Sequence, residues 1–180
     1  MPRIVIANSI VDGICRVVEQ IPFMSNDSDA QSNPLDGASL VVPQSDEDWK
    51  RYFDLRWRVL RAAWQQPRGS ERDDREDESI HLMVRGANGD SLAIGRLHLN
   101  SPTEAQVRFM AVDPGAQGRG LGSLVLRGLE QRARDAGART IVLNARESAQ
   151  RFYDQHGYRV EGPAAQLFGG VDHLRMRKDL

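Results

Sequence analysis

Apolar positions alternate with polar ones in two different rhythms along the chain. Trp49, Phe53, Trp57, Leu60 and Trp64 recur at helical spacing between Ser45 and Pro67. Ser45, with Asp48 three residues on, has the form of a capping box, so one amphipathic helix carrying all three tryptophans is expected there. A short strand, Leu40 to Pro43, precedes it. Ile80 to Arg85 and Ser91 to Leu99 are apolar and β-branched runs separated by a segment containing Asn88-Gly89, the residue pair that closes tight hairpins. Ser101-Pro102-Thr103 makes the next turn and Ala105 to Val112 returns as a further strand. From Leu121 the rhythm is helical again, through Leu124, Val125, Leu129, Ala133 and Ala136, until Gly137 supplies a left-handed stop. Thr140 to Asn144 reads as a buried strand, and Tyr158 to Gly162 and Asp172 to Lys178 as the last two, with Leu174 and Met176 facing one way.

The first 39 residues differ. Ile10, Ile14, Val17, Val18 and Ile21 fall at the spacing of a short amphipathic helix, which Asp12, Arg16 and Glu19 make unlike a secretory leader. Ser25 to Ser39 has the composition of a disordered linker. Residues 1–39 are therefore expected to be an extension and linker, and 40–180 the folded domain. Met24, placed before that linker, has the look of a natural start, which would make residues 1–23 an upstream extension.

With 180 residues, 40% of them hydrophobic, the chain suits one α/β domain. A net charge of -1 argues against a nucleic-acid partner, which selects a basic surface. Cys15 is the only cysteine, and His81, His98, His156 and His173 are scattered, so no metal site is expected. No run of about 18 apolar residues offers a membrane span. A cytoplasmic protein fits these features. Gly69 to Ser79 is a charge run without an apolar residue, expected as a solvated loop or polar helix.

The informative stretch joins the strand ending at Val112 to the helix beginning at Leu121. Asp113-Pro114 ends the strand, glycines follow at 118, 120 and 122, and the helix then starts. Bare amides at a helix N-terminus present unpaired donors and a positive dipole end, which suits a phosphate-bearing ligand. Leu121 after Gly120 lacks the lysine and hydroxyl of an ATP loop, and G-x-G-x-G in mid-chain does not match the dinucleotide fingerprint.

What the residues do match is a coenzyme A loop. Gln117-Gly-Arg-Gly-Leu-Gly122, after Met110-Ala-Val-Asp-Pro114, resembles the signature and fourth strand of the GNAT acetyltransferases. Glu147-Ser-Ala-Gln-Arg-Phe-Tyr-Asp-Gln-His-Gly-Tyr158 is similar to that family's later A-x-x-F-Y-x-x-x-G-Tyr helix and turn. Together the motifs place about 140 of the 180 residues within the resemblance. Leu55-Arg56, Gln66-Pro67, Glu71 and Asp73 loosely resemble its ElaA-like branch.

The resemblance implies an α/β (α+β) fold: a mixed, mostly antiparallel sheet of six to seven strands, flanked by about four helices and splayed between strands four and five. It implies an N-acetyltransferase that moves an acetyl group from acetyl-CoA directly to a primary amine of a small molecule or peptide, without a metal. A homodimer is compatible with it. Main-chain amides of Gln117, Gly118, Arg119, Gly120, Leu121 and Gly122 would hold the coenzyme diphosphate, with Arg119 adding a charged contact. Met110, Ala111 and Val112 would pair with the pantetheine and polarise the thioester. The family often has an asparagine where this chain has Arg146, with Asn144 two strand steps earlier, so the pantetheine contact falls to one of these.

Tyr153 matches the family's general acid. A phenol of reference pKa about 10 stays protonated at neutral pH and can donate to a thiolate whose acid lies near about 8.5. His98, Glu71, Glu78 and Glu104 are candidate bases, and acids in the 69–79 run could also hold a cationic amine. Arg56, Arg61, Arg96 and Arg108 would suit an acceptor carrying a carboxylate, and Trp64 could line its pocket. The rival readings are a non-catalytic acyl-CoA sensor or interaction module, and an accessory domain of a thioesterase-type CoA enzyme.

Overall fold

The computed structural model describes residues 37–180. The expected helix near Ile10–Ile21, nearly all of the linker and the start at Met24 lie outside the described residues.

The elements run β1 (Ser39–Val41), α1 (Asp46–Leu60), β2 (Ile80–Arg85), β3 (Ser91–Ser101), β4 (Glu104–Val112), α2 (Leu121–Asp135), β5 (Thr140–Arg146), α3 (Gln150–Asp154), β6 (Arg159–Leu167) and β7 (Val171–Asp179). The strands form one seven-stranded sheet, ordered β1-β2-β3-β4-β5-β7-β6. All neighbours are antiparallel except β4 and β5. Three α-helices stand among the described residues where about four were expected.

Local chemistry sets several boundaries. The Ser45 hydroxyl accepts from the Asp48 amide at 3.1 Å while the Asp48 carboxylate accepts from the Ser45 amide at 3.3 Å, the expected capping box. α1 stops at Leu60 rather than running to Pro67, and Trp64 sits in a separate 3-10 turn, Ala62–Trp64, so the helix carries only Trp49 and Trp57. Likewise the segment from Glu147 is a 3-10 turn before α3 takes over at Gln150. Gly89 closes the β2–β3 hairpin at φ 86°, a conformation costly for any residue with a Cβ.

Both faces of the sheet are covered, which is why β2 and β3 read as continuous apolar runs. Leu82, Val84, Leu97 and Val107 pack with Leu121, Val125, Leu126 and Leu129 of α2. Met83, Ile94 and Ala111 pack with Tyr52, Phe53 and Leu55 of α1.

Two irregularities of β4 shape the site. Ile94 pairs with Ala111 but Arg96 pairs with Arg108, so Phe109 and Met110 together oppose Gly95: a β-bulge, with Phe109 at φ 55°. Gly95 permits it, because a Cβ there would lie 2.6 Å from Met110 Sδ and 2.8 Å from Leu129 Cδ1. Beyond the bulge the sheet parts. β4 and β5 pair only from Glu104↔Thr140 to Val107↔Leu143, whereas β5 continues to Arg146 paired with β7 on its other side. The expected splay between strands four and five is therefore present.

Candidate active site

The parted strands leave a cleft of about 860 Å³. One wall is β4 from Gln106 to Val112, the other is Asn144 to Arg146 of β5, and the Gly118–Ser123 turn closes one end. Of the residues expected to contact coenzyme A, Met110, Ala111, Val112, Gln117, Gly118, Gly120, Leu121, Gly122, Asn144 and Tyr153 line it, and so does Arg146. Arg119 does not line the cleft.

The loop has the form an anion cradle needs. Gly118 and Gly120 adopt φ 76° and 75°, and a Cβ on either would meet nothing within 4 Å, so the backbone there is bare. Gly120 caps α2 without any side-chain hydrogen bond, which leaves the first-turn donors to the cleft.

Tyr153 is only 7% exposed and packs edge-on to Phe152, with ring centroids 5.0 Å apart, and to Tyr158, at 5.7 Å. Burial pushes its phenol pKa up, so it is a proton donor at neutral pH.

None of the four candidate bases reaches the cleft. His98 is buried on the α1 face of β3, the face shared with Arg96, and does not line the cleft. Glu104 starts β4 at the opposite end and pairs with Arg177 at 3.1 Å. Glu78 pairs with Arg75 at the surface. Glu71 is buried, its carboxylate accepting from the Gly69 amide at 2.7 Å.

The charge run is solvated only in part: Arg72, Asp74, Asp77 and Glu78 are exposed, whereas two of its acids are taken up by buried arginines. Asp73 and Glu76 turn inward onto Arg96, and Glu76 also takes Arg56 at 2.8 Å. Both arginines are fully buried, and Arg56 adds a bond to the Tyr52 hydroxyl at 2.9 Å. Burial alone would raise the Asp73 pKa, but the Arg96 hydrogen bonds, the Arg75 amide and the charges of Arg96 and Arg108 together outweigh it and hold the carboxyl down to about 2. Arg56 and Arg96 are thus structural, while Arg61 and Arg108 line the cleft. Trp64 does not line it but stacks at 6.2 Å on Phe168, which does.

Sequence reasoning missed His173. It lines the cleft, is 8% exposed, and pairs across β5–β7 with Arg146, so the two side chains share a face. Its Nδ1 lies 2.9 Å from the Val171 carbonyl. A carbonyl only accepts, so Nδ1 carries the hydrogen, which leaves Nε2 as the ring nitrogen that can exchange a proton. No Asp or Glu lines the cleft among the described residues.

Residues 49–158 match the family model described as Acetyltransferase (GNAT) family. The chain belongs to the GNAT acetyltransferases. It is 31% identical over 139 residues to an uncharacterized N-acetyltransferase, YjcF, of Bacillus subtilis, covering 77% of this chain and 98% of that protein. Among solved structures, Escherichia coli ElaA superposes with a TM-score of 0.63 at 17% identity, covering 79% of this chain and 99% of the other. An aminoglycoside 6'-N-acetyltransferase complexed with coenzyme A gives 0.65 at 15% identity, covering 79% and 96%. At such identities the superpositions speak for the fold. As a GNAT protein this chain is an acyl-CoA-dependent acyltransferase.

Proposed function

We propose that this GNAT enzyme transfers an acetyl group from acetyl-CoA directly to the primary amine of a small molecule or peptide. The observation that carries this reading is the wedge between Arg108–Val112 and Asn144–Arg146, closed at one end by the bare glycine turn and holding Tyr153 in its wall. Amides of the turn and of the first turn of α2 bind the diphosphate. The open edge of β4 at Met110 to Val112 takes the pantetheine as an added strand and supplies a main-chain donor to the thioester carbonyl.

The protons then have owners. His173 Nε2 removes one from the attacking amine, the C–N bond forms and the C–S bond breaks. The departing thiolate takes its proton from Tyr153, whose phenolate is restored from solvent, and His173 releases the amine's proton to solvent to close the cycle. The products are an amide and free coenzyme A.

The test is thiol release from acetyl-CoA across a panel of amines. Tyr153→Phe is expected to lower turnover by an order of magnitude or more, with acetyl-CoA affinity nearly intact. Unchanged turnover removes Tyr153 from the mechanism, and silence of the wild type toward every amine removes the reading itself.

A further inference from the structure

The cleft is cationic at one end. Arg61, Arg108 and Arg146 all line it. Arg61 donates its Nε to the Ser70 carbonyl at 2.9 Å and its Nη1 to the Leu60 carbonyl at 3.1 Å. Arg146 donates its Nη2 to that same Leu60 oxygen at 3.4 Å. Two guanidiniums therefore converge on one carbonyl, and among the described residues no carboxylate stands within ion-pair distance of either. Arg108 has only Asp73, at 3.3 Å, and that carboxylate already serves Arg96.

Capping of α1 does not account for this. Leu60 is the last residue of α1, and a helix C-terminus carries about half a negative charge, against two full positive ones. Burial lowers the Arg61 pKa, and Arg56, Arg108 and Arg146 lower it further, so the arginines are close enough to repel one another. Glu71 offsets part of that charge, but its carboxylate is bonded to the Gly69 amide. Half-buried cations held this way are a site waiting for an oxyanion.

That oxyanion is not the coenzyme diphosphate. Two of the cations stand at the bulge, and Arg146 joins Arg61 at the Leu60 oxygen: Arg61 lies 5.4 Å from the Phe109 ring and 5.1 Å from the Phe168 ring, and Arg108 lies 4.9 Å from Phe109. Phe109 precedes Val112, where the phosphate turn begins, by about 10 Å of strand. With the thioester beside Met110 to Val112, this end is where the acceptor enters.

We propose that Arg61, Arg108 and Arg146 bind the carboxylate of an acceptor that carries both an amine and a carboxylate, an amino acid or a peptide-like acid. The inference rests on the acyltransfer reading above and deepens it. Planar guanidiniums pair with a carboxylate through two parallel hydrogen bonds, while Phe109 and Phe168 flank the carbon chain between the charged groups. His173, sharing a strand face with Arg146, then sits near the amine end.

The experiment compares α- and ω-amino acids with their carboxamides as acceptors for acetyl-CoA. Each carboxylate is expected to exceed its carboxamide at least tenfold in kcat/KM. Arg61→Gln and, as an independent variant, Arg146→Gln should each raise KM for the carboxylate partner at least tenfold and erode that ratio. In Arg61→Gln, coenzyme A affinity measured by calorimetry should stay within about twofold, because the coenzyme is held by the glycine turn and the β4 edge. A tenfold loss of coenzyme affinity in both variants, with the acceptor ratio intact, would assign the cluster to the coenzyme's phosphates and overturn the proposal. Equal transfer to carboxylates and carboxamides overturns it while leaving acyl transfer standing. Calorimetric binding of amino acids to the coenzyme-loaded protein without thiol release keeps the anion site and sinks the transfer.

Discussion

Arginine is used in opposite ways on the two sides of the β4 bulge. On the α1 face, Arg56 and Arg96 are fully buried and each meets a carboxylate from the 69–79 loop. In the cleft, Arg61 and Arg146 are half-buried and, among the described residues, donate their hydrogen bonds to carbonyls and not to carboxylates. Phe109 stands between the sets, its ring 4.4 Å from Arg56, 4.8 Å from Arg96 and 5.4 Å from Arg61. A buried charge with its partner supplied by the chain is a clasp, which pins a polar loop onto the sheet. A charge left to find its partner outside the chain is a binding site. The residue type is the same, and the difference lies in who neutralises it.

The most severe way to break the comparison is to cut the clasp. Arg96→Met leaves Asp73 and Glu76 facing a buried apolar patch with only Arg108 and Arg56 to share. Removing one partner of a buried ion pair costs about 3 to 5 kcal/mol, most of it the stranded charge rather than the lost attraction. Urea denaturation should show a loss of about 3 kcal/mol or more, and Arg96→Met combined with Asp73→Asn and Glu76→Gln should recover much of it. A loss below about 1 kcal/mol would mean the network is ornamental.

A histidine on the clasp side sharpens the contrast at the next level of effect. His98 is buried on the clasp side, and burial, reinforced by Arg75, Arg96 and Arg108, holds its pKa down to about 4 from an ordinary 6.5. Its folded pKa is depressed, so the unfolded chain binds more protons at this site between pH 6.5 and 4. Stability is therefore full above pH 6.5 and falls as the pH drops toward 4, by about 3 kcal/mol at most. His98→Gln removes that slope. Denaturation midpoints at pH 7, 5.5 and 4 check it, and parallel curves for the two proteins would refute the buried neutral histidine.

Much of this fold was legible in the alternation of apolar residues, because β2, β3 and α2 each repeat one environment along their length. The coenzyme turn was legible too, since three glycines before a helix leave the backbone few other uses. What was not legible depended on contacts between distant segments. His173 enters the cleft because β7 pairs with β5 and sets it across from Arg146, 27 positions away in the chain. Asp73 and Glu76 looked like solvated charges because their partners sit on β3 and α1, and nothing local in a charge run says which acids turn inward. His98 was misplaced for the complementary reason: its position at the end of a strand near the site was right, but the face it occupies follows from which helix covers it. The end of α1 was overrun because Leu60 and Trp64 keep helical spacing although the helix breaks at Arg61, with φ -129°, and only a 3-10 turn follows.

The gentlest test concerns the cleft arginines without any ligand. Arg146→Gln gives up a single 3.4 Å hydrogen bond to the Leu60 oxygen, which Arg61 already occupies at 3.1 Å. Such a bond contributes about 0.5 to 1.5 kcal/mol at best, and its length puts it at the low end. Against that loss, the variant relieves repulsion with Arg61, whose charge Arg146 disfavours. The two terms nearly cancel, so the unliganded variant should match the wild type in urea to within about 0.5 kcal/mol, in sharp distinction from Arg96→Met. A gain in stability would show that the cleft cations are strained when empty. A loss above about 2 kcal/mol would place Arg146 with the clasp arginines and erase the distinction between the two sides of the bulge.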